Sequence, residues 1–482
     1  MAVITDLALE VLQEIVSLLP HTRPTQDPPP TSFNSTEVGY PLKEITDRYR
    51  KIAPLRTVCR AFDDAVQPIL FSEVVIDCLH TRLDIVQSQF ESLSSGSGPW
   101  RRYAGSLKIL NLDPCYDRRP SSGGIQYWME YFSEEQRNNA YKMEELIKTR
   151  LIPSIQTGFP NLEAVSWFVR RSDPIQELTS YLATVKTLRS LTLVFWSDRV
   201  IRDFPLDSFS NLCRISLFFF NDNNMKRMDD IWYRDARRLL QRLHLLVESS
   251  PEMAALKIGK MYRERQRSEE DLEIPLFPLD FLLTPAAKQL CHLSLRRFDL
   301  VQAGEDTMPG DYYTHLTKNL TSLTSLDLTE CDYYTCPALW NAICDSNILL
   351  SSIKVDYFTA GLVKYLHRPD LPLRSLTLVL HRFSLYEDIH WDEAGDLAVL
   401  CFTTVLEAHK DTLQTLDFQV MPQYLWWLEV EKPANGEAQS DPQRPSQIAR
   451  RIYLEDTSLL RCKELRKLSV TLDLRKSRVL PK

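Results

Sequence analysis

Cysteine and histidine are the residues of this chain with the most direct capacity for metal or covalent chemistry. The chain has ten cysteines in 482 residues, and the tightest group is Cys331, Cys336 and Cys344. No C-x-x-C pair occurs, and no histidine lies at ligand spacing from this group. The pattern favours small buried hydrophobic residues, and we expect no metal site.

The motifs that hold phosphates or activate a nucleophile are absent from the sequence. Glycine is scarce, with 13 residues, and neither G-x-G-x-x-G nor G-x-x-x-x-G-K-[ST] occurs. H-E-x-x-H and G-x-S-x-G are also missing. We therefore expect no catalytic residues and no cofactor.

The overall composition limits the class of protein. The hydrophobic fraction is 44% and the charged fraction 25%, as in folded chains, and the length allows several domains or one repeat array. With 57 basic and 64 acidic residues the net charge is −7, which argues against nucleic acid as the main partner. The acidic N-terminus is unlike a signal peptide, and no apolar run is long enough to span a membrane. We expect a cytoplasmic or nuclear protein with no membrane partner.

Two amphipathic helices are predicted near the N-terminus. Apolar residues at helical spacing occupy one face of residues 7–19, and Pro20 ends that pattern. A second pattern runs from Ile52 to Val66, and Pro68 is expected to stop it. A strand rich in β-branched residues is predicted to follow, over 70–76.

These segments resemble the F-box family. The stretch L-A-L-E-V-L-Q-E-I at 7–15 is similar to the leucine-rich first helix of the family, and L-R-T-V-C-R-A-F at 55–62 is similar to its L-x-x-V-C-[RK]-x-[FW] motif. P-I-L-F-S-E-V at 68–74 has the form common in fungal members. The chain departs from the family at Ala8, where proline is usual, and in an insertion of about twenty to thirty residues between the helices.

The resemblance implies an all-α F-box module over residues 1–80, with a proline-rich insertion at about 21–48. Such modules bind the Skp-family adaptor and, through it, a cullin-RING ubiquitin ligase. The positions that match the family and are expected to contact the adaptor are Leu7, Leu9, Val11, Leu12, Ile15, Leu19, Pro20, Leu55, Val58, Cys59 and Phe62.

A second pattern, L-x-x-L-x-L, recurs through the rest of the chain. Eleven copies occur if other apolar residues are allowed, from Leu107/Leu110/Leu112 to Leu465/Leu468/Val470. The phrase is typical of leucine-rich repeats, in which a short strand is followed by a helical or irregular return. After a linker at 81–100, we predict an irregular α/β solenoid over 101–482, with helical returns at 134–150, 229–249, 338–346 and 393–409. Residues 431–447 have the composition of a disordered loop.

One position inside the repeated phrase is always polar. It is occupied by Asn111, Ser166, Thr192, Ser216, Lys257, Ser294, Asp327, Lys354, Thr377, Asp417 and Ser469. The alternation predicts strands with one buried and one solvated face, and these side chains would line the concave surface of the solenoid. The charged members Lys257, Asp327, Lys354 and Asp417 are the expected substrate-binding residues.

These observations favour a substrate-recognition subunit of an SCF-type (Skp–cullin–F-box) ubiquitin ligase that binds protein substrates. A non-catalytic repeat scaffold that does not direct ubiquitylation remains an alternative. A third interpretation is a hydrolase within the repeats, whose nucleophile would be one of the scattered cysteines or serines.

Overall fold

The protein is an α/β protein in which parallel strands follow one another in chain order. The computed structural model describes residues 51–78, 83–95, 98–112, 134–170, 173–195, 198–221, 229–262, 279–296, 309–329, 331, 336–356, 359–380, 400–420, 426–429, 450–453 and 458–470. The chain divides into two compact units, Met1–Glu252 with Lys260–Glu273, and Met253–Gly259 with Ile274–Lys482.

The first unit begins with short helices and continues with five parallel strands. A 3-10 turn at Ala53–Thr57 precedes helix α1. The α-helices are α1 Arg60–Leu70, α2 Leu83–Ser94, α3 Trp100–Tyr103, α4 Glu134–Leu146, α5 Ile152–Gly158, α6 Ile175–Leu182, α7 Asp198–Asp203 and α8 Asp229–Glu248, with a π-turn at Ile147–Leu151. The strands are β1 Glu73–Asp77, β2 Ser106–Asn111, β3 Ala164–Val169, β4 Ser190–Phe195 and β5 Arg214–Asn221. The predicted helices at 134–150 and 229–249 are confirmed.

The second unit repeats the same plan with shorter returns. Its main strands are β6 Ala255–Tyr262, β7 His292–Arg296, β8 Ser325–Thr329, β9 Ser352–Val355, β10 Ser375–Leu380, β11 Thr415–Val420 and β14 Lys467–Val470. Strand β6 belongs to this unit as far as Gly259. Between β11 and β14, strands β12 Trp426–Glu429 and β13 Arg450–Tyr453 form a separate two-stranded sheet. The α-helices are α9 Pro309–Thr317, α10 Cys336–Asp345, α11 Ala360–Leu366 and α12 Leu406–Ala408, the last preceded by a π-turn at Cys401–Val405. Helix α10 confirms the predicted return at 338–346.

The strands are held in register by a hydrogen-bond pattern that recurs at their starts. The carbonyl oxygen of Gly105 accepts from the backbone N–H of both Glu163 and Ala164, at 2.8 and 2.9 Å. The carbonyl of Thr324 likewise accepts from Ser351 and Ser352, at 2.8 and 3.1 Å. The first N–H groups of each such strand therefore donate to the carbonyl of the residue just before the preceding strand. This contact places equivalent repeat positions of the two strands side by side.

Alternation along each strand separates a buried face from a half-buried one. In β8, Leu326 and Leu328 are buried, whereas Ser325, before them, and Asp327, between them, are half-buried. The predicted period of two is therefore confirmed, since successive side chains of a strand point to opposite faces. The leucines of the phrase form the core between the strands and their helical returns.

The first repeat differs from its predicted register. Leu107 pairs with Val165, the second apolar position of the next phrase, and not with the first. Lys108, which pairs with Ser166, therefore holds the alternating polar position. Asn111 is almost fully buried instead. The prediction was wrong because Leu107, Leu110 and Leu112 also match the phrase, three residues out of register.

The repeats also begin earlier than predicted. Strand β1 pairs in parallel with β2, Val74 with Leu107 and Ile76 with Ile109, inside the range assigned to the F-box module. Phe71, Val74 and Ile76 thus carry the apolar phrase of the repeat. The predicted linker at 81–100 contains helix α2, whose Val86, Phe90 and Leu93 are buried.

Some sequence predictions have a different or undecided outcome. Helix α1 continues past Pro68 to Leu70, because a proline in the last turn removes a single hydrogen bond. The helix predicted at 7–19, the insertion at 21–48 and the loop at 431–447 lie outside the described residues. Within the described part of the chain no helix is long and apolar enough to cross a membrane.

Two leucines at the same repeat position test the assignment of the core. Leu326 in β8 is 3% exposed, whereas Leu468 in β14 is 50% exposed. We expect Leu326→Ala to lower the free energy of unfolding by about 2–5 kcal/mol and Leu468→Ala by less than about 1 kcal/mol. Urea titration followed by circular dichroism measures both. Equal losses would contradict the register described above.

Candidate functional site

The polar positions of the second unit lie side by side on one face of its strands. We call Lys257, Ser294, Asp327, Lys354, Thr377, Asp417 and Ser469 the polar row. Backbone register pairs each member with the next, from Lys257 on β6 to Ser469 on β14. All of them are half-buried, so the face is less solvated than the sequence predicted.

Asp327 is the centre of a hydrogen-bond network in this row. Its Oδ2 accepts from the Ser294 hydroxyl at 3.2 Å and lies 3.6 Å from Lys354 Nζ. Its Oδ1 accepts from the Thr329 hydroxyl at 2.5 Å. The side chains of Asp327 and Lys354 are only 23% and 27% exposed, so this ion pair is less screened by solvent than one at the open surface.

Lys257 lies at one end of the row, in an environment that disfavours its charge. Burial lowers the pKa of Lys257 from its usual 10.5 to about 8, and the cations Lys354 and Arg296 act in the same direction. Asp327 opposes this shift of the pKa. Lys257 therefore loses charge mainly through burial, and two nearby cations and one carboxylate act on it in opposite directions.

The structure brings together three of the four predicted substrate-binding residues. Lys257, Asp327 and Lys354 interact electrostatically, whereas Asp417 is separated from Lys354 by Thr377. Thr329 and Arg296 were not among the predicted binding residues, although the period of two places them on the same face as Asp327 and Ser294.

The motif-bearing segment of the first unit forms a small core of its own. Phe62, Ala65, Val66 and Leu70 of α1 pack with Ile52, and the partly buried Leu55 and Cys59 pack against this cluster. Of the positions predicted to contact an adaptor, Leu55, Cys59 and Phe62 are thus engaged within the chain. Leu7, Leu9, Val11, Leu12, Ile15, Leu19 and Pro20 lie outside the described residues.

Val58 is the exception in this segment, because its side chain is 59% exposed. It lies at the junction between the 3-10 turn and α1, where the chain changes direction at Cys59. An exposed valine between two packed helical segments is available for an intermolecular contact.

Arg56 fixes this junction to both neighbouring elements. Its Nε donates to Asp63 Oδ1 at 2.6 Å, and its guanidinium lies 5.4 Å from the centre of the Phe71 ring. The bond with Arg56 lowers the pKa of Asp63. The Phe71 ring in turn meets Trp100 edge-on, with 6.5 Å between ring centres. The segment is therefore packed directly against the start of the repeats.

Comparison of the chain with known protein families and with curated proteins gives no match. The function must therefore be argued from the residues and their geometry.

The cysteines do not form a centre among the described residues. Cys78, Cys331 and Cys401 are buried, and burial raises the pKa of Cys78 and of Cys401 to about 12. Such thiols remain protonated at neutral pH and are poor nucleophiles. Within the described ranges no three potential ligands from His, Cys, Asp and Glu cluster in a way that could hold a metal ion.

The lowered pKa of Lys257 predicts a specific pH dependence of stability. Between pH 8 and 10.5 the unfolded chain holds a proton on this lysine that the folded chain has lost, so stability should rise with pH in this window. Between pH 8 and pH 10 the free energy of unfolding of the unmodified protein should rise by about 1–2 kcal/mol more than that of the Lys257→Met variant, which has no lysine to titrate at this position. Parallel pH profiles of the two proteins in urea would refute the environment described for Lys257.

A double-mutant cycle measures the ion pair at the centre of the row. Asp327→Ala should destabilise the protein by about 1–3 kcal/mol, because the Ser294 and Thr329 hydroxyls lose their acceptor. The coupling between Asp327→Ala and Lys354→Ala should be about 0.5–1 kcal/mol. The same cycle with Lys354 and Asp411, whose carboxylate pairs with Lys463 at 3.1 Å, is the control and should give no coupling.

Proposed function

We propose that this chain is a substrate receptor of a Skp–cullin–F-box ubiquitin ligase, active in the cytoplasm or nucleus. Its N-terminal region would bind a Skp-family adaptor and thereby a cullin-RING ligase. The polar face of the repeats would bind the protein to be ubiquitylated. The observation that carries the proposal is the exposed Val58 within the V-C-R-x-F motif, whose other apolar residues are used in packing.

The way this segment joins the repeats supports the same function. Only Phe71 and Ser72 separate α1 from β1, and Phe71 packs between Arg56 and Trp100. A docking segment joined without a flexible linker to the repeats of the first unit would hold those repeats in a defined position on the adaptor. Such positioning raises the effective concentration of a substrate lysine near a conjugating enzyme.

The polar row supports binding of a protein partner. Its members offer hydroxyl groups, carboxylates and amines on neighbouring strands about 4.8 Å apart, a spacing that suits an extended or irregular polypeptide. Paired charges of both signs, such as Asp327 and Lys354, favour selection of a complementary partner over a uniform attraction.

The adaptor contact can be tested with one exposed residue. Val58→Asp should reduce co-purification of the Skp-family adaptor and of the cullin by at least about tenfold, because a charge would be buried against an apolar partner. The fold should be retained, since Val58 is largely in solvent. Quantitative immunoblotting after affinity purification of the full chain gives the ratio.

Leu245→Asp is the matched control, because Leu245 on α8 is also half exposed and lies in the same unit. This variant should bind the adaptor normally. Unchanged binding by Val58→Asp would contradict the proposed contact. Normal adaptor binding without any cullin or change in client ubiquitylation would favour the scaffold alternative.

A further inference from the structure

The last strand of the second unit leaves repeat positions uncovered that are buried elsewhere. Among the described residues β14 ends the strand order, with β11 as its neighbour. Leu413 and Leu416 of the preceding repeat are buried, whereas the equivalent Leu465 is half-buried and Leu468 is 50% exposed. Leu460, in the turn before this strand, is 73% exposed. Because no described repeat follows β14, its apolar phrase forms an exposed surface.

The backbone of β14 has one side turned away from the sheet. The N–H groups of Arg466 and Lys467 both donate to the Gln414 carbonyl, at 2.8 and 3.1 Å, and therefore face β11. Successive residues of a strand turn their backbone groups to alternate sides. Leu468 thus directs its N–H and C=O to the outer side, where an added strand could bond to them.

Lys467 places a positive charge on one face of this edge. It pairs with Thr415, and Leu468 pairs with Leu416, so Lys467 lies on the polar face and Leu468 on the apolar one. The Lys467 side chain is exposed and forms no ion pair with any described residue. The nearby Glu464 lies 3.8 Å from Arg466 instead. The charge of Lys467 is therefore available to a partner.

The sequence around this edge is basic, although the chain as a whole has a net charge of −7. Residues 461–482 contain two acidic residues and eight basic ones: Arg461, Lys463, Arg466, Lys467, Arg475, Lys476, Arg478 and Lys482. Arg461 pairs with Glu407, and Lys463 pairs with Asp411. Basic residues still outnumber acidic ones when these two carboxylates are included, so this end of the chain attracts acidic groups.

Charge selects among the occupants of the edge. A second copy of the chain would bring the same basic residues against it. Residues 471–482, in which four of the five charged residues are basic, would also bring like charges together, which is unfavourable at an interface. A strand that alternates acidic and apolar residues fits both faces, since its acidic side chains would lie beside Lys467 and its apolar ones beside Leu468.

We propose that the outer edge of β14 binds an acidic segment of a partner protein as an added strand, with acidic side chains on the face of Lys467 and apolar side chains on the face of Leu468. The proposal goes beyond the function proposed above, because neither residue belongs to the polar row or to the V-C-R-x-F motif.

The test uses the full chain and a fluorescein-labelled peptide, Thr-Glu-Val-Glu-Val-Glu-Thr, followed by fluorescence anisotropy at physiological salt. The peptide should bind at least about tenfold more tightly than its Lys counterpart and than a version with serine in place of valine. Of two versions N-methylated at the valines or at the glutamates, one should lose at least about tenfold, because only one set of N–H groups faces β14.

Two variants of the protein locate the contact. Lys467→Glu should weaken the acidic peptide by at least about tenfold and strengthen its Lys counterpart, whereas Lys364→Glu, at an exposed lysine of α11 in the same unit, should change neither. Leu468→Pro removes the outward N–H but no bond to β11, and proline is tolerated on edge strands. It should weaken the acidic peptide more than Leu468→Ala, which keeps the N–H.

Equal binding of all the peptides, or unchanged binding by both Lys467→Glu and Leu468→Pro, would overturn the proposal. Tighter binding of a single-stranded oligonucleotide than of the acidic peptide would show a nucleic-acid site and would also overturn it. So would the absence of peptide binding by the unmodified chain together with a large fall in melting temperature for Leu468→Pro, because the edge would then be paired within the chain.

Discussion

Within each unit, a carbonyl shared by the start of the next strand is the constraint on which the arrangement of the strands depends. Two successive N–H groups at the start of one strand bond to a single carbonyl just before the neighbouring strand, and this contact recurs from Ser72 to Arg189 in the first unit and from Ala254 to Gln414 in the second. It fixes the register, and the register decides which side chains enter the core. A slip of one residue would turn the leucines out and bring Lys257 or Asp327 in.

The same register explains the chemistry of the polar row. Side chains at one repeat position are brought within a strand spacing of one another, so hydroxyls and charges that are distant in sequence become direct neighbours. Ser294 and Thr329 satisfy the carboxylate of Asp327, and Lys354 balances its charge. Half-burial then makes these interactions stronger than at an open surface and disfavours the charged form of Lys257.

The N-terminal segment is governed by aromatic packing as well as by strand register. Phe71 serves at once as the first apolar residue of a repeat phrase and as the ring on which Arg56 lies. This double use joins the helical segment that carries the V-C-R-x-F motif to the sheet without a spacer.

Local periodicity was enough to predict the α/β class, the alternation of buried and polar positions, and the helices at 134–150, 229–249 and 338–346. The tertiary structure decided the register of the first repeat, since Leu107 fits the phrase in two positions and only pairing with Val165 distinguishes them. It also decided that β1 belongs to the sheet and that 83–94 is helical, because Val74, Val86 and Phe90 are recognisable as core residues only once their neighbours are known. Periodicity located Asp327 and Lys354 on one face, but their distance, burial and shared hydroxyl partners depend on strands that meet only in the folded chain.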